Sequence, residues 1–289
     1  MLNRLPTELT LGIFRQAAEI FVVLDRPSAL SLAQTNRLVY LMIVPILLRR
    51  VVVTKTNVDA AADLFQRADR AALILDLTVT AASDWSLPRQ VLGNLMSIQC
   101  IRGYRKNIET VIAALPETAL SQLFKIQLWG ETMLRHVPPS VTHVCLYADR
   151  LADPLLKKPN QWIMTNPSIS HFAIELVQYD DGSDDSDATD MADRVATGLD
   201  TLLDAGGPRL REVSVRLAGS LSGQKYWDRV LTVFRNMDEN RSGSTTQFRL
   251  WRDERTITSW ETDTKTGRAD SRVGVDVWSE ARSISTYLS

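Results

Sequence analysis

Short apolar clusters at strand-like offsets recur along most of this chain, and that recurrence limits the folds open to it. They begin at Leu48-Val51-Val53 and return at Leu73-Leu75-Leu77, Leu95-Ile98-Cys100, Leu123-Ile126-Leu128 and Val141-Val144-Leu146. The fullest instances are Ile169-Phe172-Ile174-Leu176 and Leu210-Val213-Val215-Leu217. Period-two alternation predicts short strands. Between them lie stretches of helical spacing: Asn57 to Ala68, Lys106 to Leu115, Asp190 to Asp204 and Gln224 to Met237. Strand and helix exchanged every twenty to forty residues or so is the rhythm of an α/β solenoid with a curved, mostly parallel sheet. Pro138-Pro139-Ser140, Asn166-Pro167-Ser168 and Gly206-Gly207-Pro208 each stand shortly before a strand, where proline and glycine end a helix.

The last forty or so residues differ. Phe248-Leu250 and Ile257-Ser259 flank Asp253-Glu254-Arg255 like the arms of a hairpin, and Val273-Val275-Val277 reads as another strand. A stack of repeats leaves an open sheet edge at its end, so residues 246–289 are expected to form a C-terminal β cap.

Composition excludes several classes. Lys and Arg total 33 against 34 Asp and Glu, and no basic run stands out, so nucleic acid and anionic lipid have no electrostatic footprint. The 2 cysteines, Cys100 and Cys145, fall in apolar alternating segments and suit a reducing compartment. Glu8 interrupts the first apolar stretch, which argues against a secretory leader. The longest apolar run, Leu38 to Leu48, contains Pro45 and falls short of the roughly 18 residues a membrane span needs. A soluble chain in the cytoplasm, the nucleus or both is the expectation.

The first fifty residues read as three short helices. Pro6 suits a first helical turn, and Leu9, Ile13, Ala17 and Ile20 make one apolar stripe. Asp25-Arg26-Pro27-Ser28 breaks the pattern, and Pro27 or Ser28 suits a second helix start. Leu30, Ala33 and Leu38 continue the helical period, and Pro45 limits a third segment. Leu5-Pro6-Thr7-Glu8-Leu9 into Ile13-Phe14, then Ala29-Leu30-Ser31-Leu32-Ala33, then Pro45-Ile46-Leu47-Leu48-Arg49, have the order and spacing of an F-box. Residues 1–48 therefore resemble the F-box family, in particular the divergent F-boxes of fungal proteins. Many members carry a tryptophan in the third segment, where the nearest aromatic here is Tyr40. The resemblance implies that Leu5, Pro6, Leu9, Ile13, Phe14, Leu30, Leu32, Ala33 and Pro45 contact the Skp adaptor and, through it, a cullin.

Residues 49–245 resemble a leucine-rich-repeat domain with degenerate repeats, without the asparagine ladder of the regular consensus. That domain behind an F-box implies a client-recognition adaptor of a Skp-cullin-F-box ubiquitin ligase; a scaffold acting outside any ligase is the alternative. No enzyme, cofactor or metal is expected. His143 and Cys145 alternate on one strand face, but two ligands do not make a zinc site, and His171 reads as solvent-side. In Gly219-Ser220-Leu221-Ser222-Gly223 a leucine holds the place a nucleophile elbow gives to serine. The aspartate-rich stretch 180–190 lacks the ligand alternation and closing glutamate of a calcium loop, and reads as a solvated insertion. Among the 7 tryptophans, Trp129 and Trp251 directly follow core-facing Leu128 and Leu250, so alternation turns both toward the opposite face, as candidate anchors for a protein client.

Overall fold

The computed structural model describes residues 6–24, 26–80, 87–129, 133–148, 159–178, 197–199, 201, 203–204, 209–219, 224–240, 246–253 and 282–283. The chain is an α/β protein. Three helices come first: α1 (Thr7–Leu24), α2 (Arg26–Ala33) and α3 (Arg37–Leu48). There follow β1 (Arg50–Val53), α4 (Val58–Gln66), α5 (Ala68–Ala71), β2 (Asp76–Val79), α6 (Arg89–Leu92) and β3 (Cys100–Tyr104). Next come α7 (Arg105–Ala114), α8 (Glu117–Leu120), β4 (Lys125–Trp129), β5 (His143–Ala148), α9 (Pro159–Thr165) and β6 (His171–Gln178). The described elements end with β7 (Glu212–Gly219), α10 (Gln224–Asn240), β8 (Gln247–Asp253) and β9 (Arg282–Ser283).

Among the described residues one sheet runs in chain order from β1 to β9, skipping no strand. β1 to β8 pair in parallel, and β9 lies antiparallel on β8, opposite Arg249 and Leu250. Parallel neighbours need a crossover connection, which is why helical segments fall between strands.

Each unit is keyed to the next by one carbonyl. The Arg49 carbonyl accepts the N–H groups of Leu75 and Asp76, the Leu75 carbonyl those of Gln99 and Cys100, and the Gln99 carbonyl those of Phe124 and Lys125. Phe124, Thr142 and Ser170 do the same for the units that follow them. Just before each of these carbonyls except that of Arg49 sits a fully buried aliphatic: Ile74, Ile98, Leu123, Val141 and Ile169. The core-facing strand residues come three and five positions after it: Leu77 and Val79, Ile126 and Leu128, Val144 and Leu146, Phe172 and Ile174, Val213 and Val215. Burying each such side chain contributes roughly 1.5–3 kcal/mol, so this ladder is the main source of cohesion.

Two expected phases are corrected by this geometry. In the second unit the core uses Ile74, Leu77 and Val79, so Leu73 and Leu75 precede the strand. In the third, Ile101 faces the core and Cys100 the opposite side, because Gly103 occupies the next inward position. Gly103 has φ +151, and a Cβ there would lie 2.6 Å from the Val79 carbonyl oxygen. Only glycine tolerates that approach. Leu48 closes α3 instead of opening β1, and Pro45 lies inside α3 instead of limiting it. Three residues from the helix end, its missing N–H costs one bond without stopping the last turn.

Phe248 and Leu250 belong to β8, which continues the parallel sheet from β7, so the antiparallel part of the expected cap starts later, at β9. The expected strands at Ile257-Ser259 and Val273-Val277 lie outside the described residues. Of the expected helix 190–204, residues 197–199, 201 and 203–204 are described, and they are helical.

Side chains tie the connections to the strands. Asn57 accepts the Thr54 N–H at 2.7 Å and donates to the Val52 carbonyl at 2.9 Å, fixing the turn from β1 into α4. Burial would raise the Glu109 carboxyl, but the Arg135 N–H and the Arg105 guanidinium outweigh it and hold Glu109 below its ordinary range. That carboxylate fastens α7 to the connection leading into β5.

Candidate interaction surfaces

The three N-terminal helices have a core of their own, separate from that of the sheet. Ala18, Ala29, Ala33, Val39, Ile43, Ile46 and Leu47 form it, with Phe14, Leu32 and Met42 packed on its edge. Asn36 starts α3 by accepting the N–H groups of Leu38 and Val39 at 2.7 and 3.1 Å, an N-cap. The three alanines let the helices approach closely around Ile43, Ile46 and Leu47, while other large residues stay outside. Leu9 is 58%, Ile13 49% and Leu30 48% exposed, and Leu38, Tyr40 and Leu41 are exposed as well. Leu9 and Ile13, four apart on α1, share one face.

The residues assigned to the Skp adaptor are thus divided. Pro6, Leu9, Ile13 and Leu30 are exposed; Phe14, Leu32 and Pro45 are half-buried. Ala33 is buried in the module's own core, so its part is to let α2 pack closely and it offers no surface. Leu5 lies outside the described residues. Leu38 and Leu41 were missed: a period that counts every leucine on a helix as core-facing hides those on the outside.

The second surface is the sheet face turned away from the aliphatic ladder. Strand register lines up its side chains in rows. One row runs Arg50, Asp76, Cys100, Lys125, His143, His171, Glu212, Gln247. A later row carries Tyr104, Trp129 and Tyr147, then Glu175, Arg216 and Trp251. Trp129 and Trp251 therefore share a face and a row, as alternation requires. Trp129 is nevertheless 8% exposed, edge-on to Tyr104 with centroids 5.8 Å apart. Trp251 is half-buried and lies 4.7 Å from the guanidinium carbon of Arg216. Trp162 and Trp227 are buried, the former donating to the Leu134 carbonyl at 3.0 Å. Trp85, Trp260 and Trp278 lie outside the described residues.

This face is built of buried charge. Glu175 pairs with Arg216 through Oε2, while its Oε1 accepts from Gln127 at 3.1 Å and from the Cys145 thiol at 3.4 Å. Arg102 pairs with Asp76 at 2.9 Å, and Glu212 accepts from Ser214 at 2.9 Å with Arg249 3.5 Å away. The periodicity does hold the signal, since each of these charges stands one residue from a core-facing aliphatic. Finding the pairs requires knowing that Glu175 and Arg216, far apart in the chain, are register neighbours.

His143 stacks on His171 with ring centroids 4.0 Å apart and planes 7° from parallel. Burial holds His171 below the ordinary histidine range; Glu212 opposes this, and Arg211 and Arg249 add to it. His143 and Cys145 share a face, but among the described residues no group of three or more His, Cys, Asp or Glu is placed to hold a metal ion. The aspartate-rich stretch 180–190 and most of the segment 219–223 lie outside the described residues. Among the described residues no helix is long and apolar enough to cross a membrane. No family model, curated protein or solved structure matches the chain.

Proposed function

We propose that this chain is a client-recognition adaptor of a cullin-type ubiquitin ligase, its α1–α3 module binding the Skp adaptor as an F-box does and its repeat domain binding a protein client. One observation carries the reading. The helical module completes a core from three alanines with Val39, Ile43, Ile46 and Leu47, and still leaves Leu9, Ile13 and Leu30 in water. Covering half-exposed leucines and isoleucines contributes about 1–2 kcal/mol each, so a partner that does so gains affinity. Strands stacked in chain order, each unit keyed by a carbonyl, support the leucine-rich-repeat-like reading of the rest. Trp251, half-buried beside Arg216, is the better of the two tryptophans as a client anchor. The chain performs no covalent step in this role; it raises rate by holding a client lysine near an activated thioester.

The test is the double substitution Leu9→Asp with Ile13→Asp. Both sites are exposed, and Leu9 lies in the first turn of α1, where a negative charge suits the helix dipole. Adaptor capture should be lost while thermal unfolding is unchanged. Undiminished capture would put the contact elsewhere.

A scaffold acting outside any ligase is the second reading. It is favoured by α3 running almost directly into β1, which places the helical module beside the sheet's first strand. A folded chain that never associates with a Skp adaptor would support it.

A further inference from the structure

We propose that the stacked His143–His171 pair is a proton-responsive seam: it accepts one proton but resists a second, so acidification loosens the polar sheet face between β5 and β6. The inference concerns the sheet alone and does not depend on the adaptor reading.

The geometry is specific. His143 and His171 are register partners on adjacent parallel strands, and their rings stack at 4.0 Å. Each Nδ1 is engaged by the hydroxyl of the preceding residue, Thr142 at 2.8 Å and Ser170 at 2.9 Å. A hydroxyl can donate to a bare ring nitrogen or accept from a protonated one, so these bonds tolerate either state. Two stacked imidazolium rings repel each other, and a third cation stands alongside, since Lys125 on β4 is the register partner of His143. Phe124 lies edge-to-face against His143 at 5.7 Å and brings no charge. On the other side Glu212 of β7 favours a proton on His171, while Arg211 and Arg249 oppose it. Farther along this face, Glu175 on β6 is occupied by Arg216. Around the pair, Lys125, Arg211 and Arg249 thus outnumber Glu212.

The sign follows from linkage. A histidine held low in the fold binds fewer protons there than in the unfolded chain, so its contribution is intact above about pH 6.5 and is lost as pH falls below it.

The experiment is a pH titration of the imidazole C2–H resonances in the full chain, wild type against His143→Phe. Phenylalanine keeps an aromatic ring in the stack and removes its charge. Apart from the resonance of His136, the third histidine of the chain, wild type should show two steps separated by at least about one pH unit, and the variant a single step above the lower of the two. His171→Phe gives the reciprocal comparison if the first variant does not fold. The melting temperature should also fall by roughly 2–4 °C more in wild type than in the double variant His143→Phe with His171→Phe between about pH 7.5 and pH 5.5. Independent midpoints in wild type, unmoved in either single variant, would overturn the proposal.

Discussion

The helical module and the sheet solve the same packing problem in opposite ways. The sheet puts its large aliphatics inside, from Ile74 to Leu250, and turns charged side chains to its other face, where they pair with one another. The module fills its centre with three alanines, Val39, Ile43, Ile46 and Leu47 and turns Leu9, Ile13, Leu30, Leu38 and Leu41 outward. A sheet whose polar groups are largely paired, with exceptions such as Asp76 Oδ1 and Thr78 Oγ1, mostly satisfies itself. A module with leucines in water does not, which is why the binding role is placed first on the helices.

The largest break in the sheet should come from Glu175→Leu. It leaves Arg216 buried without its carboxylate, and denaturant unfolding should report a loss of about 3–5 kcal/mol. Replacing both partners, Glu175→Leu with Arg216→Met, should recover most of that loss, and neither variant should weaken adaptor capture by the helices. Gly103→Ala is expected to cost about 1–3 kcal/mol, because the backbone is at φ +151 and the Val79 carbonyl blocks a Cβ. The smallest effect belongs to the module: Asn36→Ala removes the α3 cap and should cost about 1 kcal/mol. Amide exchange at Leu38 and Val39 should then quicken roughly five-fold while β-strand amides stay unchanged. Equal acceleration in both regions would mean that the two cores open together.

Most of the fold was legible because burial imposes a period. Every unit from β4 to β7 has its core positions where alternation put them, and α7 and α10 fall within a few residues of their expected spans. The second and third units were misphased for local reasons. Leu73, Leu75 and Leu77 present a denser leucine pattern than the residues the core uses, and Gly103 breaks the inward alternation that would have revealed Ile101. Composition does not state a register, so the Glu175–Arg216 and His143–His171 pairings lay beyond it. At the candidate site, Leu9 and Ile13 came from the F-box resemblance; the apolar stripe they share with Ala17 and Ile20 did not itself say which residues stay exposed. Ala33 looked the same by sequence but was taken by the module's own core.

The most direct measurement is co-expression of the full chain with a Skp adaptor, followed by gel filtration and hydrogen exchange across α1 and α2. The account predicts an equimolar complex in which the exchange around Leu9, Ile13 and Leu30 slows on binding, with the β1–β8 amides unaffected. A folded chain that elutes alone, or a complex whose protection falls on the sheet while α1 exchanges as before, would contradict it.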